Sequence, residues 1–190
     1  MSRLCSYRSL FSLLVAAVFS VLSAQTSHAQ QLGIKTNALM WALATPNLGC
    51  EFVVKEHSTV DISAFGHYKP YGLDSELVAI QPEYRYWFNG RPMIREFVGI
   101  SAMVASYDIT TVKQVYDGLA ASLGVTCGYA FLLGRDWRLE LSGGVSLLFF
   151  NQKKYYRYDD YYVDKSTRPN SWGYKLFPAE IGVTFTYIIK

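Results

Sequence analysis

Residues 118–131 read GLAASLGVTCGYAF, two interleaved sets of opposite character. Leu119, Ala121, Leu123, Val125, Cys127, Tyr129 and Phe131 form an apolar set that ends in two aromatics. Gly118, Ala120, Ser122, Gly124, Thr126, Gly128 and Ala130 are small and uncharged. A period of two over such a stretch marks a β-strand. Its length exceeds the five or six residues usual in soluble strands and suits the roughly 9 to 11 residues of a tilted strand crossing a bilayer. Small residues without charge make a poor water-facing surface, yet they fit the crowded inside of a narrow barrel.

The rest of the chain repeats the pattern. Strands are expected at 32–43, 48–54, 60–68, 77–88, 97–107, 118–131, 137–149 and 173–189. In the fourth, Val78, Ile80, Pro82, Tyr84, Tyr86 and Phe88 oppose Ala79, Gln81, Glu83, Arg85 and Trp87. In the last, Phe177, Ala179, Ile181, Val183, Phe185, Tyr187 and Ile189 share the outward parity, against Glu180, Gly182, Thr184 and Thr186. The fifth is apolar on both parities and does not reveal its orientation. Connections at 55–58, 89–95 and 132–136 are short, whereas 69–76, 108–117 and 150–172 are longer. This is the short-turn, long-loop alternation of an outer-membrane barrel with both termini in the periplasm. The connection at 45–47 is short and breaks it. The expectation is all-β, an eight-stranded antiparallel up-and-down transmembrane β-barrel.

The ends and the composition set further bounds. Arg3 and Arg8 precede an apolar run from Leu10 to Leu22, and Ser27-His28-Ala29 follows. This reads as a signal peptide over 1–29, with a single barrel domain over 30–190 and export to the outer membrane. Without that leader, sixteen basic residues face fifteen acidic ones, so the chain carries no electrostatic footprint for nucleic acid. Cys50 and Cys127 fall on apolar parities of separate strands and read as small hydrophobes rather than as a disulfide.

Lys35-Thr36-Asn37, then Thr45-Pro46-Asn47-Leu48-Gly49 with Glu51-Phe52, then Gln81-Pro82-Glu83-Tyr84-Arg85-Tyr86-Trp87-Phe88 carry a resemblance. With the closing Tyr187-Ile188-Ile189-Lys190, the chain resembles a Bacteroidetes domain-of-unknown-function family of exported outer-membrane β-barrel proteins, some linked to fimbrial gene clusters. The resemblance implies a fold and a location, and no activity. Many outer-membrane barrels end in an aromatic residue, whereas Lys190 follows Tyr187 by three positions here.

Folding the alternation into a barrel gathers Lys35, Glu51, Asp61, Glu83, Arg85, Arg138, Glu140 and Glu180 inside. An eight-stranded interior is just wide enough for side chains to fill, so the expectation is a structural plug of paired charges. The alternative is a small pore with Glu83 and Arg85 as filter. A lipid-modifying enzyme would need His67 to work with Asp61 or Ser63, and a soluble lipocalin-like barrel would turn its apolar face inward to a ligand. No phosphate loop, zinc-ligand spacing or nucleophile elbow occurs, so the protein is read as non-catalytic and without a cofactor. Tyr155, Tyr156, Tyr158, Tyr161 and Tyr162 crowd the 150–172 loop with charges of both signs. Tyrosine gives large contact area at low entropic cost, which makes this the candidate recognition surface for a surface protein or glycan. Outer-membrane lipid is the partner expected along the wall.

Overall fold

The computed structural model describes residues 31–111, 114–156 and 171–189, and the statements below concern those residues. The expected leader, 1–29, lies outside them. Eight strands follow one another in chain order: β1 (Leu32–Asn37), β2 (Asn47–Lys55), β3 (Ser58–Tyr68), β4 (Ser75–Trp87), β5 (Arg95–Thr110), β6 (Gln114–Leu132), β7 (Trp137–Tyr156) and β8 (Ser171–Ile189). Each pairs antiparallel with its neighbours, and β1 meets β8 from Leu32↔Ile189 to Asn37↔Thr184, which closes the sheet into a barrel. The opening stretch is the interior of β6, paired to β5 and β7 along its length. Its large residues point out and its small ones point in, as the alternation requires.

Several boundaries differ from the sequence expectation. The first strand stops at Asn37 instead of running to 43, and a short helix α1 (Ala38–Ala42) replaces its upper half. Asn37 ends it by accepting a hydrogen bond from Leu39 N at 3.0 Å, the usual N-cap geometry. Its backbone also pairs with the side chain of Asn47: Asn37 N donates to Asn47 Oδ1 at 2.6 Å, and Asn47 Nδ2 donates to Asn37 O at 2.9 Å. The short connection expected at 45–47 is therefore a longer one that includes a helix.

The third, fifth and seventh connections are shorter than expected, because strands continue past the point where clear alternation ends. β5 runs to Thr110, β6 starts at Gln114, and β7 reaches Tyr156. On β8, the register slips by one residue between Gly144↔Glu180 and Val145↔Pro178. A bulge of this kind reverses the side-chain parity beyond it. Phe177 therefore joins the interior, contrary to its expected place on the outer face with Ile181. Pro82 is accommodated because the β4–β5 ladder skips Gln81 and Pro82 between Ile80↔Val104 and Glu83↔Ser101. A residue with no N–H sits there without stranding a partner.

Packing divides the interior into two halves. At the end that holds the short turns, Trp87, Met93, Phe97, Ala130 and Ile188 form a buried apolar cluster, with Val53 against it. The Trp87 and Phe97 rings lie 4.8 Å apart. At the opposite end the wall is not fully zipped. β1 meets β8 only up to Asn37↔Thr184, so the part of β8 from Ser171 to Gly182 is hydrogen-bonded as a strand to β7 alone. The seam is bridged by side chains: Asn37 Nδ2 donates to Ile181 O, Val183 N donates to Asn37 Oδ1, and Gln81 Nε2 donates to Ala179 O.

Candidate functional site

Above the apolar cluster lies a buried ionic layer. β1 supplies Lys35, β2 Glu51, β3 Asp61, β4 Glu83 and Arg85, β7 Glu140 and β8 Glu180. Alternation forces each to the same side of its strand, and barrel closure brings them together. Lys35 Nζ lies 2.9 Å from Glu51, 3.0 Å from Asp61 and 3.0 Å from Glu140. Arg85 donates to Glu83 at 2.7 Å and to both oxygens of Glu140 at 2.9 and 3.0 Å, with Glu51 at 3.5 Å and Glu180 at 3.6 Å. Its guanidinium also stacks 4.6 Å from the Phe97 ring centroid, joining the ionic layer to the apolar cluster below.

Neutral donors complete the carboxylates. Thr59 donates to Glu51 at 2.5 Å, Ser63 to Asp61 at 2.6 Å, Ser142 to Glu180 at 2.7 Å, and Thr126 to Glu83. Trp87 Nε1 in turn donates to Thr59 Oγ1 at 2.9 Å. β5 contributes an absence of side chain: a Cβ on Gly99 would strike the Glu83 carboxylate and the Thr126 hydroxyl. Buried charges demand this density of partners.

Seven of the eight expected interior residues meet in this layer, and Arg138 does not. Arg138 Nη1 donates instead to the carbonyls of Gly134, Arg135 and Trp137 at the β6–β7 turn. It lies at the first inward position of β7, two residues before Glu140, too near the turn to reach the layer. Without Arg138, five carboxylates face two cations, a formal excess of three negative charges.

The expectation that side chains fill the interior holds only for this lower half. Between the ionic layer and the loop end lies a cavity of about 720 Å³. Phe65, Leu77, Met103, Leu148, Phe150 and Phe177 wall it, while Asp61, Glu83 and Glu180 line its floor. Its size falls within the range of ligand pockets, which are mostly apolar with a few polar groups. Phe65 and Leu77 were readable from their parity with Asp61 and Arg85. Leu148 and Phe150 continue the inward parity of Glu140 and Ser146, and Phe177 is hidden by the bulge.

The histidines take other roles. His67 sets Nδ1 against Thr45 Oγ1 at 3.2 Å and Nε2 against Ser75 Oγ at 3.1 Å, while Ser63 is turned to Asp61. The pairing that a lipid-modifying enzyme would need from His67 with Asp61 or Ser63 is therefore not assembled. His57 meets Trp87 O at 3.1 Å and stacks on Tyr86. Among the described residues no group of three His, Cys, Asp or Glu side chains could hold a metal ion. Cys50 and Cys127 are free thiols. In the candidate recognition loop, Tyr155 and Tyr156 belong to the end of β7, whereas Tyr158, Tyr161 and Tyr162 lie outside the described residues.

The profile of a protein family matches residues 13–189, nearly the whole chain. The chain belongs to that family, described as "Protein of unknown function (DUF3575)". No curated protein and no solved structure matches it. For this DUF3575 chain the barrel interior must therefore be read from its own chemistry.

Proposed function

We propose that this protein is an exported, non-catalytic outer-membrane β-barrel, its wall in lipid and its loop end at the cell surface. There it serves structure, surface interaction or an accessory role in appendage assembly. A charge-free belt around the outer wall carries the reading. On β5 the outward residues between Glu96 and Asp108 are Val98, Ile100, Ala102, Val104 and Ser106. The two acids are twelve positions apart, roughly 30 Å at about 3.3 Å per residue and a tilt of about 40°. That is the thickness of a bilayer's hydrocarbon core.

The borders of the belt support the same reading. Glu76, Asp108, Asp117 and Lys153 occupy successive rungs across β4 to β7 and bound it at the loop end. Tyr129 with Phe131, Trp137 with Tyr187 and Tyr86 with Phe88 form close ring pairs toward the turn end. Aromatic girdles of this kind suit the membrane interface. A soluble barrel would leave Leu119, Leu123 and Val125, each about 60% exposed, facing water side by side with their neighbours. No helix among the described residues is long and apolar enough to cross a membrane, so strands would make the crossing.

The test is fractionation with gel mobility. The protein should pellet with outer membranes and migrate faster on a detergent gel before heating than after. Soluble periplasmic recovery with unchanged mobility would refute the reading. For the surface role, a surface protein or glycan would be held through the tyrosines of the 150–172 segment. Deleting 157–170 should abolish its capture by intact cells while the barrel keeps its heat-dependent mobility.

A further inference from the structure

We propose that the cavity above the ionic layer binds an elongated amphiphile, a single apolar chain ending in an ammonium group. The chain lies along the apolar wall, and the ammonium rests on the carboxylate floor. Three observations lead there. The cavity is long: from Glu83 at the floor to Leu77 toward the loop end, β4 spans six residues, roughly 15 Å along the barrel axis at about 40° of tilt. Its middle is walled by Phe65, Leu77, Met103, Leu148, Phe150 and Phe177, with the Lys175 ammonium set against the Phe150 ring 5.6 Å from its centroid. Its floor exposes Asp61, Glu83 and Glu180 beside Lys35 and Arg85, the upper side of a layer in which five carboxylates face those two cations.

The floor decides the orientation and sign of the ligand. A methyl terminus pressed on the ionic layer would strip water from charges and give nothing in return. A carboxylate there would meet like charge. An ammonium supplies a cation and three donors where acceptors exceed donors. Glu180 is the accessible acceptor: its side chain keeps 15% exposure, against 1 to 3% for the other four carboxylates, and its partners are Ser142 at 2.7 Å and Arg85 at 3.6 Å.

The seam supplies an entrance. Leu39, Met40 and Leu43 from α1 and the segment after it line one side of the cavity, and Phe177, Pro178 and Ile181 from β8 line the other. No strand ladder crosses between them above Thr184. An amphiphile can therefore slide in sideways without parting a strand ladder, displacing at most the side-chain bonds of Asn37 and Gln81. The turn end is closed to it by Trp87, Met93 and Phe97.

The probe is decylammonium carrying a photoactivatable group in its chain, applied to the purified full chain in bilayer discs below its micellar concentration. Cross-links should map to β5, β7 and β8 residues that line the cavity, and unlabelled decylammonium should compete at least tenfold better than decanoate or decanol. Each methylene added between octyl and dodecyl should tighten binding about threefold to fourfold. Glu180→Gln should weaken the ammonium about tenfold and leave the alcohol unchanged. Leu148→Trp, with Met103→Trp as a second filling variant, should abolish the cross-links while heat-dependent mobility persists. Equal competition by decanoate would overturn the assignment of the head group. Cross-links that survive both filling variants, or that map to outward residues such as Leu123, would overturn the site. Neither result touches the membrane reading, which rests on the outer wall alone.

Discussion

Arg85 and Glu140, fifty-five residues apart in sequence, face each other across the interior with the guanidinium on both carboxylate oxygens. The same Arg85 holds Glu83 at 2.7 Å and stacks on Phe97, so one side chain links β4, β5 and β7. Removing it strands several buried carboxylates. Arg85→Met should cost about 3 to 5 kcal/mol in a denaturant unfolding series followed by gel mobility. In Arg85→Met with Glu140→Gln, part of that loss should return, because an uncompensated charge has gone with its partner. Strict additivity of the two losses would show that the pair is not coupled.

Gly128 and Gly143 offer a matched contrast on facing strands. A Cβ on Gly128 would come within 2.6 Å of Leu141 O and of the Phe97 ring, whereas one on Gly143 meets nothing within 4 Å. Gly128→Ala should lose about 1 to 3 kcal/mol through forced displacement of the apolar cluster. Gly143→Ala should stay within about 0.5 kcal/mol of the parent. Equal stabilities for the two would contradict the packing around Phe97.

Leu123 sits mid-belt between Ala102 on β5 and Leu147 on β7. Arginine at a lipid-facing site near the bilayer midplane costs about 2 to 4 kcal/mol, but at a water-facing site almost nothing. Leu123→Arg should therefore reduce assembled barrel in membranes sharply. Wild-type yield and stability for this variant would argue for an aqueous surroundings.

Conductance distinguishes a sealed barrel from a pore. The apolar cluster and the ionic layer stack in series across the lumen, and Glu83 and Arg85 are engaged with each other instead of lining a free path. Planar bilayers containing the protein should show no stepwise current. Regular unitary steps that change ion preference in Glu83→Gln would restore the filter reading.

The ring of eight strands was legible because alternation is set by local chemistry, and each inward charge betrayed its own parity. Glu51, Asp61, Glu83 and Glu140 could be assigned to the interior one strand at a time. Three things were not local. Asn37 ends β1 through bonds to Asn47 and to β8, which alternation does not encode. The bulge beside Ala179 flips Phe177 through a register slip against β7, invisible without the partner strand. Arg138 has the right parity but the wrong height, and height along a strand depends on where the turn falls. The cavity owes its walls to that bulge, which turns Phe177 inward, and to the continuation of β5 and β7 beyond their clear alternation.

The early end of β1 divides the molecule mechanically. Below Thr184 the backbone hydrogen bonds form an unbroken hoop whose circumference is fixed by strand count and stagger. Above it the sheet is a scroll whose margins are joined by no ladder and are held by the side chains of Asn37 and Gln81 and by α1 against β8. A hoop has one diameter, whereas a scroll can tighten or loosen by changing its curl, with no strand pair lost. Strand count and stagger thus fix the internal volume of the lower half around Arg85, whereas in the upper half no closed ladder does so.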